Sequence, residues 1–326
     1  MKRHSCFYRL TTTVFAAVAV MGLVRPTWAS PFAYITNQGD DTVSVIDTKV
    51  GLVVQTVGVG SKPAGVAASR DGAKIYITNP EGKSLSVVDG QKQKLIASLS
   101  VGEGPLGIAI DPPGKKVYVA DWYEDKVFVI DTEQLKITGS IRVGESPSGV
   151  VVSPDNTKVY VANRDSNSVS MIDAKTLKIL KTAKVGIHPF GLTVDKQGSR
   201  LYVTNVVSND VTVLDGKNLK VIGKVPVGDK PYAVSLALKD TRLIVTNHED
   251  DTVSVIDTNS LKVLTTVDVG ETPEGVSTLT DDRHVYVVNW FSNDVSVLDA
   301  KTSKVVGNIK TGEGSRGFGQ FIPQSK

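Results

Sequence analysis

Lys158-Val-Tyr-Val-Ala-Asn163 is a short β-branched run that ends in asparagine, and it recurs along the chain with a fixed 42-residue spacing. Its relatives are Tyr34-Ile-Thr-Asn37, Tyr76-Ile-Thr-Asn79, Tyr118-Val-Ala-Asp121, Tyr202-Val-Thr-Asn205, Ile244-Val-Thr-Asn247 and Tyr286-Val-Val-Asn289. No insertion disturbs the period. Around Tyr160 the unit reads Val143-Gly-Glu-Ser-Pro-Ser-Gly149, Val150 to Ser153, a turn at Pro154-Asp-Asn, the quoted run, Ser168 to Asp173, and Leu177 to Val185. Each apolar stretch is short, rich in β-branched residues and bounded by turn formers, which is strand chemistry. Pairs such as Asp71-Gly72 and Asp155-Asn156 suit the positive φ of tight hairpins. Seven units of four strands predict an all-β, seven-bladed β-propeller, with the strands of each blade named a to d from the centre outwards.

The first tyrosine motif already occupies strand b, so the first blade lacks its own strand a. The segment Gly317-Phe-Gly-Gln-Phe321 stands where an eighth strand a would fall. It is expected to pair with the first blade and close the ring, which removes a long unpaired edge. The repeats resemble the YVTN family of β-propeller repeats found in exported bacterial and archaeal proteins, including YncE-like members. That resemblance spans the chain beyond its first 29 residues. It implies the fold and an exported location, and it leaves the activity open because the fold hosts many roles.

Residues 1–29 read as a secretory signal peptide. Lys2, Arg3 and Arg9 precede an apolar run, Val14 to Val24, and Thr27-Trp28-Ala29 offers small residues for cleavage after Ala29. The run is too short to span a bilayer, so no integral membrane segment is expected in the mature chain. The whole chain has 37 basic and 34 acidic residues. Removing Lys2, Arg3, Arg9 and Arg25 with the signal leaves 33 basic residues and a net charge near −1. Cys6 leaves too, which excludes disulfides, thiolate metal sites and a cysteine nucleophile from the mature protein. The remaining 30–326 is expected to form one propeller, monomeric, in the periplasm or outside the cell.

Copies that agree are scaffold. Asp47, Asp89, Asp131, Asp173, Asp215, Asp257 and Asp299 end every strand c, and their expected role is to accept backbone N–H groups in the following turn rather than to hold a cation. Function is sought where copies differ. Strands alternate in direction, so b–c loops and d–a loops share one face. On it Trp122-Tyr123 and Trp290-Phe291 are aromatic pairs at equivalent positions. Such pairs either bind a partner or seal the core edge. The position after proline in the d–a loops should look into the channel mouth. It reads Ala64, Leu106, Ser148, Phe190, Tyr232, Glu274 and Arg316, a mixture of apolar wall and polar handles suited to a small-molecule pocket.

His188 and His248, with Glu249 and Asp250, form a candidate divalent-metal cluster, set against the simpler reading of solvated surface histidines. The same face carries an excess of acids in its loops, while the a–b and c–d turns opposite are rich in lysine. An acidic, aromatic face favours a small cation, an amine, a metal ion or a basic protein, and argues against nucleic acid. The sequence reading is an exported, non-enzymatic binding scaffold for a small molecule or a periplasmic or extracellular protein. The alternatives are a metal-dependent lactonase- or lyase-like enzyme, and an accessory protein of a quinone or haem redox system. The cofactor is open beyond a possible divalent metal. Cys-x-x-Cys-His is absent, so no covalent haem is expected.

Overall fold

The computed structural model describes Met1 and residues 32–324; the expected signal peptide, 1–29, lies outside the described residues, Met1 apart. Seven four-stranded antiparallel sheets follow one another around the ring. Blade 4 is representative, with strand a at Pro147–Val152, b at Lys158–Asn163, c at Ser168–Asp173 and d at Ile179–Lys184. Blade 1 combines the two ends of the chain. Its strands b, c and d are Phe32–Asn37, Thr42–Asp47 and Leu52–Gly58, and its strand a is the pair Ser315–Arg316. Arg316 pairs with Thr36 and Ser315 with Asn37, so the closure expected from the sequence is present, though only two residues long. Among the described residues no helix is long and apolar enough to cross a membrane.

The repeated residues explain the ring. Strands b and c are buried almost throughout, and the apolar clusters join one blade to the next, as where Tyr76, Leu85 and Val87 of blade 2 meet Val117, Val119 and Ile130 of blade 3. The tyrosine of the motif is a rivet between blades: Tyr34 donates its hydroxyl to Gly90 O, and Tyr160 donates to Gly216 O, each in the following blade. The asparagine ties three pieces together. Asn163 Oδ1 accepts the Gly144 N–H of the d–a loop, while its Nδ2 donates to Ser168 and Ser170 of strand c. Glycine follows the mouth position in every blade but the sixth, where Ala233 stands, because inner strands nearly touch. A Cβ on Gly107 would lie 1.6 Å from Ser148 O. The aspartates ending strand c cap their turns as expected; Asp89 accepts from Gln91 and Lys92 N–H groups, and Asp257 from Asn259 and Ser260.

Beyond Arg316 the chain does not continue as an ordinary inner strand. Phe318 O accepts from Val66 N–H and Gln320 O from Ala68 N–H, so the tail runs beside strand a of blade 2 (Val66–Ala68). Tyr34 N–H is then met by Phe321 O. Gly319 makes this inward detour possible. Its φ of +118° is one that L side chains rarely adopt, and a Cβ there would lie 2.5 Å from Val66 O. Phe321 and Ile322 are buried in the core of blades 7, 1 and 2.

Candidate functional site at the channel mouth

Hydrogen bonds between b–c and d–a loops, such as Trp122 N–H to Gly104 O and His248 N–H to Lys230 O, place both loop sets on one face. The last residue of each b–c loop has a left-handed backbone, with φ near +55° at Asp41, Asp125 and Asp251. Asp and Asn tolerate this conformation better than most residues. Their side chains reach the next d–a loop: Asp41 accepts from Lys62 N–H, Asp125 from Ser146 N–H and Asp251 from Thr272 N–H. Part of the acidity of this face is thus engaged with the backbone. Glu81, Glu103, Asp229, Glu249, Asp250, Glu271 and Glu313 remain exposed.

At the centre of this face the mouth residues meet. Phe190 and Tyr232 have ring centroids 4.0 Å apart, and Trp122 approaches Phe190 at 6.2 Å. Tyr232 stacks on His248 at 5.4 Å and 28°. Arg316 grips the Glu274 carboxylate with Nε and Nη2, and His248 Nε2 lies 3.4 Å from Glu274 Oε1. Burial alone would raise the Glu274 carboxyl, but the Arg316 guanidinium and His248 outweigh it and hold it below the ordinary carboxylate range. Burial, reinforced by the Glu274 charge, pushes the Tyr232 phenol well above its ordinary value. Two cations lie over the tryptophans: Arg164 is 5.4 Å from the Trp122 ring, and Arg316 is 6.0 Å from that of Trp290.

Six of the candidate residues therefore belong to one cluster or its edge: Trp122, Phe190, Tyr232, His248, Glu274 and Arg316, with Trp290 attached through Arg316. Tyr123 and Phe291 stand apart as 74% and 64% exposed rings, although Phe291 touches Trp290 edge-on at 5.1 Å. The metal cluster of the sequence reading is not assembled as expected. His188 Nε2 lies 3.7 Å from Asp165, whereas His248 turns towards Glu274, and Asp250 accepts Asp229 N–H. Among the described residues no group of three His, Cys, Asp or Glu side chains is arranged to hold a metal ion. Ser146 donates to Asp165 at 2.6 Å, so Asp165 stands between Ser146 and His188. A serine nucleophile needs the imidazole in the middle, and that order is missing.

Phe318 was not anticipated. Its ring lies 4.8 Å from Phe190 and 6.3 Å from Tyr232, so the C-terminal tail stops the mouth from inside. The expected pocket at this mouth is filled by these rings. A cavity of about 350 Å³ lies on the other side of Phe318, running to the a–b turns at Arg70, Pro112 and Pro154. The sequence does carry a signal for the stopper. The repeat position of Phe318 is otherwise aliphatic: Val66, Ile108, Val150, Leu192, Val234 and Val276.

Residues 151–242 match the family described as YNCE-like beta-propeller, and the seven-bladed ring agrees with that assignment. No curated protein sequence matches the chain. Among solved structures, the chain is similar to Kuenenia stuttgartiensis hydrazine synthase at 23% identity, with 88% of this chain and 99% of that one covered and a TM-score of 0.77. A functionally unknown protein from Desulfotomaculum acetoxidans aligns at 16% identity over 88% and 98%, also with a TM-score of 0.77. The dihydro-heme d1 dehydrogenase NirN in complex with DHE aligns at 13% identity over 88% and 74%, with a TM-score of 0.67. At these identities the likeness is one of fold.

Proposed function

We propose that this YncE-like β-propeller is an exported, non-enzymatic interaction scaffold whose b–c and d–a loop face docks a basic protein or peptide. The observation that carries this reading is the pairing of exposed rings, Tyr123 and Phe291, with exposed acids on the same face. They sit on blades 3 and 7, on either side of a mouth packed with its own aromatic rings. Glu274 is saturated by Arg316 and His248, so a small cation entering the mouth would have to displace a guanidinium. A partner lying across the face meets no such obstacle. It covers two aromatic anchors and gains long-range attraction from the acids. The signal-peptide reading of residues 1–29 supports export. The likeness to hydrazine synthase and NirN does not favour the redox-accessory alternative, because fold alone is shared.

Both tryptophans of the described residues, Trp122 and Trp290, border this face, so intrinsic fluorescence reports on it. Titration with a lysine- and arginine-rich peptide at low salt is expected to give a saturable change. That change should weaken at high salt and be lost in Tyr123→Ala/Phe291→Ala. A flat titration, or a double variant that binds like the wild type, refutes the reading.

A further inference from the structure

The face opposite the proposed docking surface holds a cavity. Its wall is built from inner strands: Ile108 and Ile110, Val150 and Val152, Leu192, and Val234. Phe318 and Gly319 form its inner end, and among the described residues it runs to the a–b turns at Arg70, Pro112 and Pro154. At about 350 Å³ it falls in the lower part of the range of ligand sites, roughly 300–1,000 Å³. Polar groups are few. Thr193 and Ser235 line the wall, and Gln320 donates to Ser277 Oγ and Ile322 O.

The charge at the entrance is uneven. Arg70 lines it, is exposed, and makes no ion pair among the described residues; its Nε donates to Gln324 O at 3.3 Å, which holds the side chain at the opening. Three further cations of these turns are in ion pairs: Arg242 with Asp257, Arg283 with Asp299 and Lys196 with Asp282. Asp111 also lines the entrance, but its Oδ1 accepts the N–H groups of Lys115 and Lys116, and those two lysines stand on the same turn. An apolar channel that ends at Phe318, with a guanidinium at its lip that makes no ion pair among the described residues, is complementary to a particular shape of molecule.

We propose that this channel is a second binding site, for a single small molecule with an apolar body and a carboxylate head held at Arg70. The body gains by leaving water for the Val, Ile and Leu wall. The head stays near solvent, where Arg70 offers a planar pair of donors that fits a carboxylate. Phe318 sets the depth and keeps this site separate from the loop face.

Octanoate and octanol serve as matched probes in isothermal titration calorimetry. Octanoate is expected to bind at one site and octanol more weakly. Because Arg70 is exposed, Arg70→Ala should weaken octanoate by about fivefold, the measure of a solvent-screened ion pair. Leu192→Phe and Val234→Phe, made singly, should each cut affinity on the order of tenfold or more by filling the channel. Circular dichroism and thermal unfolding check that each variant keeps the fold. Trp122→Ala, on the other face, should bind octanoate unchanged. No saturable octanoate binding overturns the proposal. So does binding that survives both filling variants, or octanol binding as tightly as octanoate with Arg70→Ala silent.

Discussion

Replacing Glu274 by glutamine tests what holds the ring shut. Strand a of blade 1 contributes two residues, and one of them, Arg316, is clamped by Glu274 of blade 7. The two side chains are 6% and 18% exposed, so the pair is substantially desolvated. Removing one partner of such a pair leaves a stranded charge, which costs about 3–5 kcal/mol. Glutamine keeps the shape and one acceptor, which places the expected loss near the lower end, ~3 kcal/mol. With an unfolding entropy of about 2.1 cal/mol/K per residue over roughly 290 residues, that loss lowers Tm by about 5 °C.

The pH dependence gives a second reading of the same group. The folded carboxyl is held below its ordinary 4.5, so its stabilisation is fully present above that value and is lost as pH falls through the folded value. The wild type and Glu274→Gln should differ by a constant Tm gap near neutrality, and the gap should close below pH 4.5. Glu274→Met/Arg316→Met should recover much of the loss, because no charge is left buried. Calorimetric scans from pH 7.5 to pH 3 measure all three. A Tm drop under about 1 °C, roughly 0.6 kcal/mol, or a gap that ignores pH would refute the clamp.

Phe318→Ala should cost about 3–5 kcal/mol in urea unfolding and leave Phe318→Leu much milder; equal, small losses would mean the ring is not the packed stopper described. Burial pushes the phenols of Tyr76, Tyr118, Tyr160 and Tyr286 up to about 12, from an ordinary 10.0. Stability from these groups is complete below pH 10 and is lost as pH rises towards about 12, so ultraviolet titration at 295 nm should show them ionising together with unfolding. Ionisation of these buried groups near pH 10 with the circular dichroism spectrum intact would contradict that burial. Asn163→Ala removes the acceptor for Gly144 N–H and two links to strand c, and should destabilise by about 1–3 kcal/mol. A neutral result would show that the loop finds another acceptor.

What the sequence made legible is what every blade must do for its neighbour. Tyrosine, asparagine and the turn aspartate recur every 42 residues as rivet, staple and cap, although Ile244 replaces the tyrosine in blade 6 and the Tyr118 hydroxyl is buried without a partner. The mouth was legible for the opposite reason: Phe190, Tyr232, Glu274 and Arg316 break the pattern at one position and meet in space. Residues with two competing partners were not legible. His248 could have faced His188, but stacking on Tyr232 and the Glu274 charge across the blade boundary turn it away. Asp41, Asp125 and Asp251 read as surface charge, yet their left-handed backbone aims them at the next loop's N–H groups. The tail is the sharpest case. Its phase continues the repeat through Gly317, but a two-residue strand gives little pairing energy to hold an eighth inner strand in line. Phe318 gains more by leaving water among Phe190 and Tyr232, and Gly319 supplies the one backbone conformation that lets it get there. That single departure turns an open channel into a stopped face and a pocket that ends at Phe318, which is why the two proposed sites sit on opposite sides of one aromatic ring.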